Sequence, residues 1–428
     1  MHKVSFLLET ITPLFMSGAD GKTLELRPSA FKGMMRFWWR AVRAEKDIKK
    51  LWEEEAKIFG AADEKIGRNR VNVVLKWDRE KFESKKQKNS KNWLRNSNYS
   101  GVRYLLYSLG LQKREFLNPG FEFELILSSA NKDTLRQAIA SVWCLIFLGG
   151  IGTRSRRGGG NLIVKEIRPS SFVEEMGLSF YPTNNTSTEI GEWIRENFLK
   201  VESIINKPKV FVANYSNLSF SRFLITKEPK TRWQETLNEI GEIYQSFRKN
   251  RFLLDRAVFG LPLNYITAFY KNEKIQRRNS PLIFKVIKIQ NDFYWLILRF
   301  SGEFLPEGGR IIYQKKSKSP RYDIIDDFWK EELKPQTEEF VLTIPEHLKN
   351  ILEKIKEQLR PKKIILFGSK ARGDFHQRSD IDIAVETDIP IANLELYGAV
   401  DVVDLKRVGK DFKEKIQREG IVVYAKGQ

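Results

Sequence analysis

Residues 27–43 read RPSAFKGMMRFWWRAVR. Set on a wheel at about 100° per residue, the segment divides into two faces. Phe31, Met34, Met35, Trp38, Trp39, Ala41 and Val42 fall on one side. Lys32, Arg36, Arg40 and Arg43 fall in a narrow arc on the other. Ser29 stands where an N-cap would accept backbone N–H groups. Gly33 costs about 1 kcal/mol inside a helix and has a purpose there if something approaches the backbone closely. The segment holds no Glu or Asp, so its cations have no i,i+4 partners within the helix. It is expected to be a core helix whose outer face holds a polyanion.

The flanking segments place this helix in a fold. Lys3–Thr10 alternates as a strand, and a short helix is expected at 51–59. Strands follow at 69–77 and 120–127, a buried helix at 134–148 and a strand at 162–167. The order β-α-β-β-α-β is that of a ferredoxin-like unit. Between its last helix and last strand lies GGIGTRSRRGGGN, residues 149–161. Its glycines free the backbone to lie against a phosphate chain, and Arg154, Arg156 and Arg157 supply charge. No GxxxxGK[ST] is present, so it is not a P-loop. Residues 78–103, rich in Lys, Arg, Asn and Ser, are expected to be a long mobile insertion. Its aromatic residues, Trp93 and Tyr99 among them, are spaced to stack on unpaired bases.

A second unit starts near Val210, with a helix at 231–247 and a hairpin at 282–300. The domain expectation is 1–170 for the first unit and 171–335 for the second. A linker is expected at 336–344 and a small α/β domain at 345–428. The fold class is α+β: two ferredoxin-like units followed by that domain.

The chain carries a formal charge of +20. Residues 341–428 hold 16 of the 74 basic and 14 of the 54 acidic side chains, a net +2, so +18 belongs to residues 1–340. A phosphate-bearing partner is therefore expected there. A single cysteine, Cys144, excludes an internal disulfide framework and a multi-Cys zinc site. Only His2, His347 and His376 are present, which leaves residues 3–346 without a histidine base. The N-terminus reads as a strand and not as a signal peptide, no run is long enough to span a bilayer, and a cytoplasmic location is expected.

Six segments in order, TPLFMSGAD (12–20), ELRPSAFKGMMRFWWRA (25–41), GIGTRSRRGGG (150–160), FGLP (259–262), RRNSPLIFKV (277–286) and FLPEG (304–308), resemble the first RAMP subunit of the Cmr (type III-B CRISPR) effector complex. The resemblance implies two RRM-like RAMP domains without nuclease activity. It also implies a role in holding the guide RNA 3′ region and the guide–target duplex in antiviral defence, alongside other Cmr subunits and away from membranes. Carried over, Lys32, Arg36, Arg40 and Arg43 are the RNA-contact candidates on the helix. In the loop they are Gly150, Gly152, Arg154, Arg156, Arg157, Gly158 and Gly160.

In the last 85 residues, a strand at 362–367 leads into GSKARGDFHQRSDIDIAVE, residues 368–386. Gly368-Ser369 followed by Asp380-Ile381-Asp382 has the spacing of a nucleotidyltransferase active site. Carboxylates at i and i+2 on a strand share a face and suit Mg²⁺ around a triphosphate. Gly368 and Ser369 form the nucleotide-binding turn, and Arg372 is expected to neutralise the leaving pyrophosphate. A third carboxylate is expected from VDVVD, with Asp401 the better fit and Asp404 the other option. The segment resembles minimal nucleotidyltransferases of the DNA-polymerase-β-like superfamily. That implies Asp380, Asp382 and Asp401 as metal ligands, Mg²⁺ as cofactor and an NTP, expected to be ATP, as donor of NMP. Two alternatives remain: a RAMP ribonuclease that processes guide precursors, and an enzyme to which the RAMP part merely delivers RNA.

Overall fold

In the computed structural model the 27–43 segment is helical over Pro28–Arg43. The structure describes residues 1–61, 70–183, 185–206, 210–263, 265–314, 316–396 and 398–426. The first unit runs β1 (His2–Thr10), α1 (Pro28–Arg43), α2 (Ile48–Phe59), β2 (Asn72–Lys76), β3 (Glu122–Ser129), α3 (Lys132–Phe147) and β4 (Leu162–Arg168). Its antiparallel sheet has the order β2-β3-β1-β4, which is the ferredoxin-like arrangement. The helix begins two residues earlier than its sequence suggested. Pro28 occupies the first turn, where its missing N–H costs nothing, and Arg27 is the N-cap without a side-chain bond. Ser29 therefore lies inside the helix. Phe31, Met35, Trp38, Trp39, Ala41 and Val42 are buried, as the wheel required.

The second unit repeats the strand order of the first. It comprises α4 (Ser187–Ile205) as a flanking helix, β5 (Asn217–Thr226), α5 (Trp233–Lys249), β6 (Leu282–Ile289), β7 (Asp292–Ser301) and β8 (Thr337–Thr343), with sheet order β6-β7-β5-β8. Here the domain expectation needs correction. Residues 337–343, assigned to a linker, pair antiparallel with β5 as the closing strand. Phe340 and Leu342 supply its buried side, and Phe340 stacks on Phe223 at 5.1 Å between ring centres.

The 78–103 segment is also corrected. It is helical at Arg79–Lys85, Ser90–Arg95 and Ser100–Leu105, with Asp78 and Asn89 accepting capping bonds. Phe82, Leu94, Val102 and Leu105 are buried, which at about 1.5–3 kcal/mol each is enough to hold short helices in place.

The last unit comprises α6 (Glu346–Leu359), β9 (Lys363–Phe367), β10 (Ile381–Glu386), β11 (Val400–Asp404), α7 (Lys410–Glu419) and β12 (Ile421–Ala425). Its sheet has the order β11-β10-β9-β12, with β10 and β11 parallel. Its core is completed by Phe211 and Phe220, which precede and open β5. Among the described residues no helix is long and apolar enough to cross a membrane.

Candidate functional site

The transferase residues meet at one end of the strands β9, β10 and β11. In the parallel pair β10–β11, Asp382 is in register with Asp401, so both side chains leave the same face. Asp404 is in register with Val385, three residues on from Asp401 and on the opposite face. It is buried, accepts the Lys406 N–H at 2.9 Å and pairs with Arg407 at 3.5 Å. The structure thus places Asp401 beside Asp382. Asp380, just before β10, is exposed. Burial and then the neighbouring charges of Asp401 and Asp380 push the Asp382 carboxyl above the usual range.

Gly368 turns from β9 with φ +68°, and a Cβ there would lie 2.1 Å from Asp382 Oδ2. Only glycine lets the turn sit against that carboxylate. Ser369 follows it, half-buried. Among the described residues no three His, Cys, Asp or Glu side chains gather into a closed metal group. The donor chemistry nevertheless fits Mg²⁺, which is bound through one or two carboxylates with substrate phosphates completing the shell.

Arg372 is not available for pyrophosphate. It contacts Glu419 at 3.1 Å and Asp374 at 3.3 Å, while its carbonyl accepts from Arg299. It fastens the transferase turn to α7 and to β7. Lys370 is the cation that sequence reasoning missed. It is buried, with its ammonium 4.3 Å from the Phe375 ring centre and 4.7 Å from that of Phe211. Burial lowers its pKa to about 8 against the pull of Asp380 and Asp382, and Lys46 lowers it further. A lysine directly after a Gly-Ser turn was the available signal.

Lys46 follows the end of α1. Its carbonyl accepts from Asn214 Nδ2, and that of Glu45 accepts from the Tyr215 hydroxyl at 2.9 Å. The segment Phe211–Tyr215 thus touches both the end of α1, through Asn214 and Tyr215, and the core of the last unit, through Phe211.

The rest of the basic face is less bare than its sequence implied. Glu55 of α2 is buried and accepts from both Arg36 (2.7 Å) and Arg40. Arg43 pairs with Glu54 at 2.8 Å and Glu45 at 3.5 Å. Lys32 donates to the Val71 carbonyl at 3.2 Å, and burial brings its pKa down to about 8. The acids that balance this face come from the neighbouring helix, which an i,i+4 test cannot see. Arg36 and Arg40 still keep 28% and 39% of their side chains in solvent. Gly33 is exposed, and no atom lies within 4 Å of where its Cβ would be.

The glycine loop is corrected more strongly. Gly150, Gly158 and Gly160 are buried, and Gly152, half-buried, lies against Phe15. A Cβ on Gly158, whose φ is +82°, would lie 2.3 Å from Leu237. Arg154, Arg156 and Arg157 are half-buried overall, and their charged ends are enclosed by protein. Arg154 Nε donates to the Leu105 carbonyl at 2.9 Å, and Arg156 donates to that of Ser280 at 2.9 Å. Arg157 donates to the carbonyls of Phe259 at 2.9 Å and Leu282 at 3.3 Å. It also lies over the rings of Phe284 and Tyr244 at 4.7 and 5.1 Å. Burial lowers all three pKa values, to about 10 for Arg154 and Arg156. What the loop holds is β6, the edge strand of the second sheet. Phe284 N–H donates to the Arg156 carbonyl at 3.1 Å, and Val286 N–H donates to Asn161 Oδ1 at 2.8 Å. A sheet edge needs such a cover.

Lys285 is fully enclosed beside the loop and donates to the Gly149 carbonyl at 2.7 Å; burial brings its pKa to about 7. A base whose pKa is lower folded than unfolded binds fewer protons in the folded state between those two values. Stability therefore rises with pH from about 7 toward 10. Lys330 (about 7) and Lys370 (about 8) act in the same direction. Lys285→Met is expected to flatten part of this slope. Urea midpoints at pH 7, 8.5 and 10 check it, and an unchanged slope contradicts it.

Three comparisons with known proteins bear on these sites. Residues 7–163 match the RAMP superfamily, and residues 347–428 match the polymerase β nucleotidyltransferase family. CRISPR system Cmr subunit Cmr1-1 of Pyrococcus furiosus is 30% identical over 298 residues, covering 66% of this chain and 82% of that protein. Cmr1-2 of the same organism is 36% identical over 194 residues, covering 39% of this chain and 98% of its own length. The crystal structure of apo Cmr1 from Pyrococcus furiosus superposes with a TM-score of 0.57 at 23% identity, over 81% of this chain and 100% of that one.

Proposed function

The chain belongs to the Cmr1 family of CRISPR Cmr-system subunits, and from this we propose that it holds RNA within a type III-B effector while carrying a nucleotidyltransferase on the same chain. The observation that carries the reading is the register of Asp382 with Asp401 beside Gly368. The RNA-facing cations are Lys32, Arg36 and Arg40, on the part of α1 where Gly33 leaves the backbone open. The enclosed arginines of the glycine loop shape this surface from within. RNA is gripped by its backbone while base pairing reads sequence.

The transfer is a displacement at the α-phosphorus of an NTP, with ATP the expected donor. A hydroxyl oxygen of RNA or protein forms the new P–O bond, the bond to the bridging oxygen of the β-phosphate breaks, and pyrophosphate leaves. Asp380, Asp382 and Asp401 would hold Mg²⁺, which supplies charge neutralisation on the triphosphate. Gly368 lets the turn approach the phosphates, and Ser369 offers a hydroxyl. Lys370 sets the potential behind Asp380 and Asp382. The acceptor hydroxyl loses its proton to the surrounding carboxylates or solvent.

For the RNA face, Arg36→Ala/Arg40→Ala is expected to weaken binding of all RNA sequences alike. It is also expected to lower the slope of log K against log salt by about 1–2. Filter binding of the full chain between 50 and 300 mM salt measures this. An unchanged slope removes the face from the RNA path.

A further inference from the structure

The helices of the 78–103 segment enclose, together with the start of α5, a groove of about 790 Å³ that none of the roles above uses. Its size lies within the range of ligand clefts, roughly 300–1,000 Å³. Its walls carry three aromatic side chains: Trp93 and Tyr99, half-buried, and Trp233, buried at the first turn of α5. Around them stand six side-chain amides, those of Gln87, Asn89, Asn92, Asn96, Asn98 and Gln234. Asn89 Oδ1 accepts the Asn92 N–H at 3.0 Å, and among the described residues no hydrogen bond engages the other five amide groups. No carboxylate lines the groove, Lys88 is exposed at its edge, and Lys86 is paired to Glu115 at 3.0 Å.

The groove is held open by a rigid contact. The helix Ser100–Leu105 crosses α5 backbone to backbone at Gly101 and Gly241. A Cβ on Gly101 would lie 2.1 Å from the Asn238 carbonyl oxygen, and one on Gly241 would lie 2.4 Å from that of Gly101. Asn238 Oδ1 also accepts the Gly101 N–H at 2.8 Å. The two units therefore fix the two walls against each other.

Resting on the RNA-holding reading above, we propose that this groove takes one or two unpaired nucleotides of an RNA strand. Planar amides both donate and accept, as base edges require, and aromatic faces stack on bases of any kind. The lack of acids leaves room for the attached phosphates, and Lys88 stands where one would emerge. A peptide partner fits less well: five unbonded amides and three rings match flat, polar-edged ligands, and no deep aliphatic pocket opens among them.

The test uses the full chain and three fluorescently labelled probes: a single-stranded RNA dodecamer, the same dodecamer with two abasic positions, and a twelve-base-pair RNA duplex. Asn92→Ala/Asn96→Ala changes exposed, unbonded side chains, and melting curves check that the fold is kept. The double variant is expected to bind the single strand about tenfold more weakly, with an unchanged salt slope and unchanged duplex binding. The wild type is expected to bind the abasic dodecamer more weakly as well. Tyr99→Leu is expected to reproduce the loss by removing a stacking face. Equal binding of base-bearing and abasic strands overturns the proposal. So does wild-type affinity in the double variant, the outcome expected if the groove instead takes a peptide of a neighbouring subunit. Failure of the wild-type chain to bind any of the three RNAs overturns the RNA-holding reading itself, which separates the two failures.

Discussion

Asp380→Ala/Asp382→Ala is expected to abolish nucleotide transfer, by about 10³-fold or more, while RNA binding and thermal stability stay near wild type. Loss of charge neutralisation on a triphosphate accounts for several kcal/mol of barrier, and each 1.4 kcal/mol is tenfold. Both residues sit at the start of β10, Asp380 exposed and Asp382 only half-buried, so their loss opens no core cavity. The measurement is incubation of the full chain, with its RNA, with α-labelled ATP and Mg²⁺, followed by separation of labelled RNA and protein. Asp401→Ala is expected to resemble the double variant, and Asp404→Ala to act through stability instead. Label transfer by the double variant at the wild-type rate, or none from the wild type with any NTP, ends the assignment.

Arg157→Ala carries the second large effect, and it is on folding. The side chain fills the space between the loop and β6, satisfies the carbonyls of Phe259 and Leu282, and lies between two rings. Truncation leaves a cavity and unpaired carbonyls in the seam between the two RAMP-type units. Large-to-small changes of this kind cost about 3 kcal/mol or more. Urea unfolding should show the midpoint shifted down and a second transition emerging as the units separate. A wild-type midpoint with weakened RNA binding would return this arginine to the RNA surface.

The contrast between these residues shows what was legible. The 27–43 helix, the 282–301 hairpin and the Asp380-Ile381-Asp382 strand each rest on a short-range period, and each was readable from the chain. The closing strand at 337–343 also had a signal, in Phe340 and Leu342, but its Lys-Pro and Glu neighbours mimic a linker. Arg36, Arg40 and Arg372 each have an acid partner that no local period reveals: Glu55, 19 and 15 residues away, for the first two, and Glu419, 47 residues away, for Arg372. The loop arginines looked like ligands for phosphate because chain-wide positive charge made that the natural partner. In the structure, carbonyls and ring faces take them, and neither leaves a charge pattern in sequence.

The core of the last unit includes Phe211 and Phe220, which lie more than a hundred residues before that unit begins. His376 bonds to Glu303 at 3.0 Å, and Arg299 and Lys330 donate to carbonyls of the transferase segment. A transferase joined by a plain tether can be exchanged, lost or borrowed during evolution without disturbing its host. Here the host supplies part of the last unit's interior, so the two are expected to be lost or kept together. Any lineage that discards the transferase must also repair the wound it leaves around β5, and such repair should be visible as polar replacements at the positions of Phe211 and Phe220.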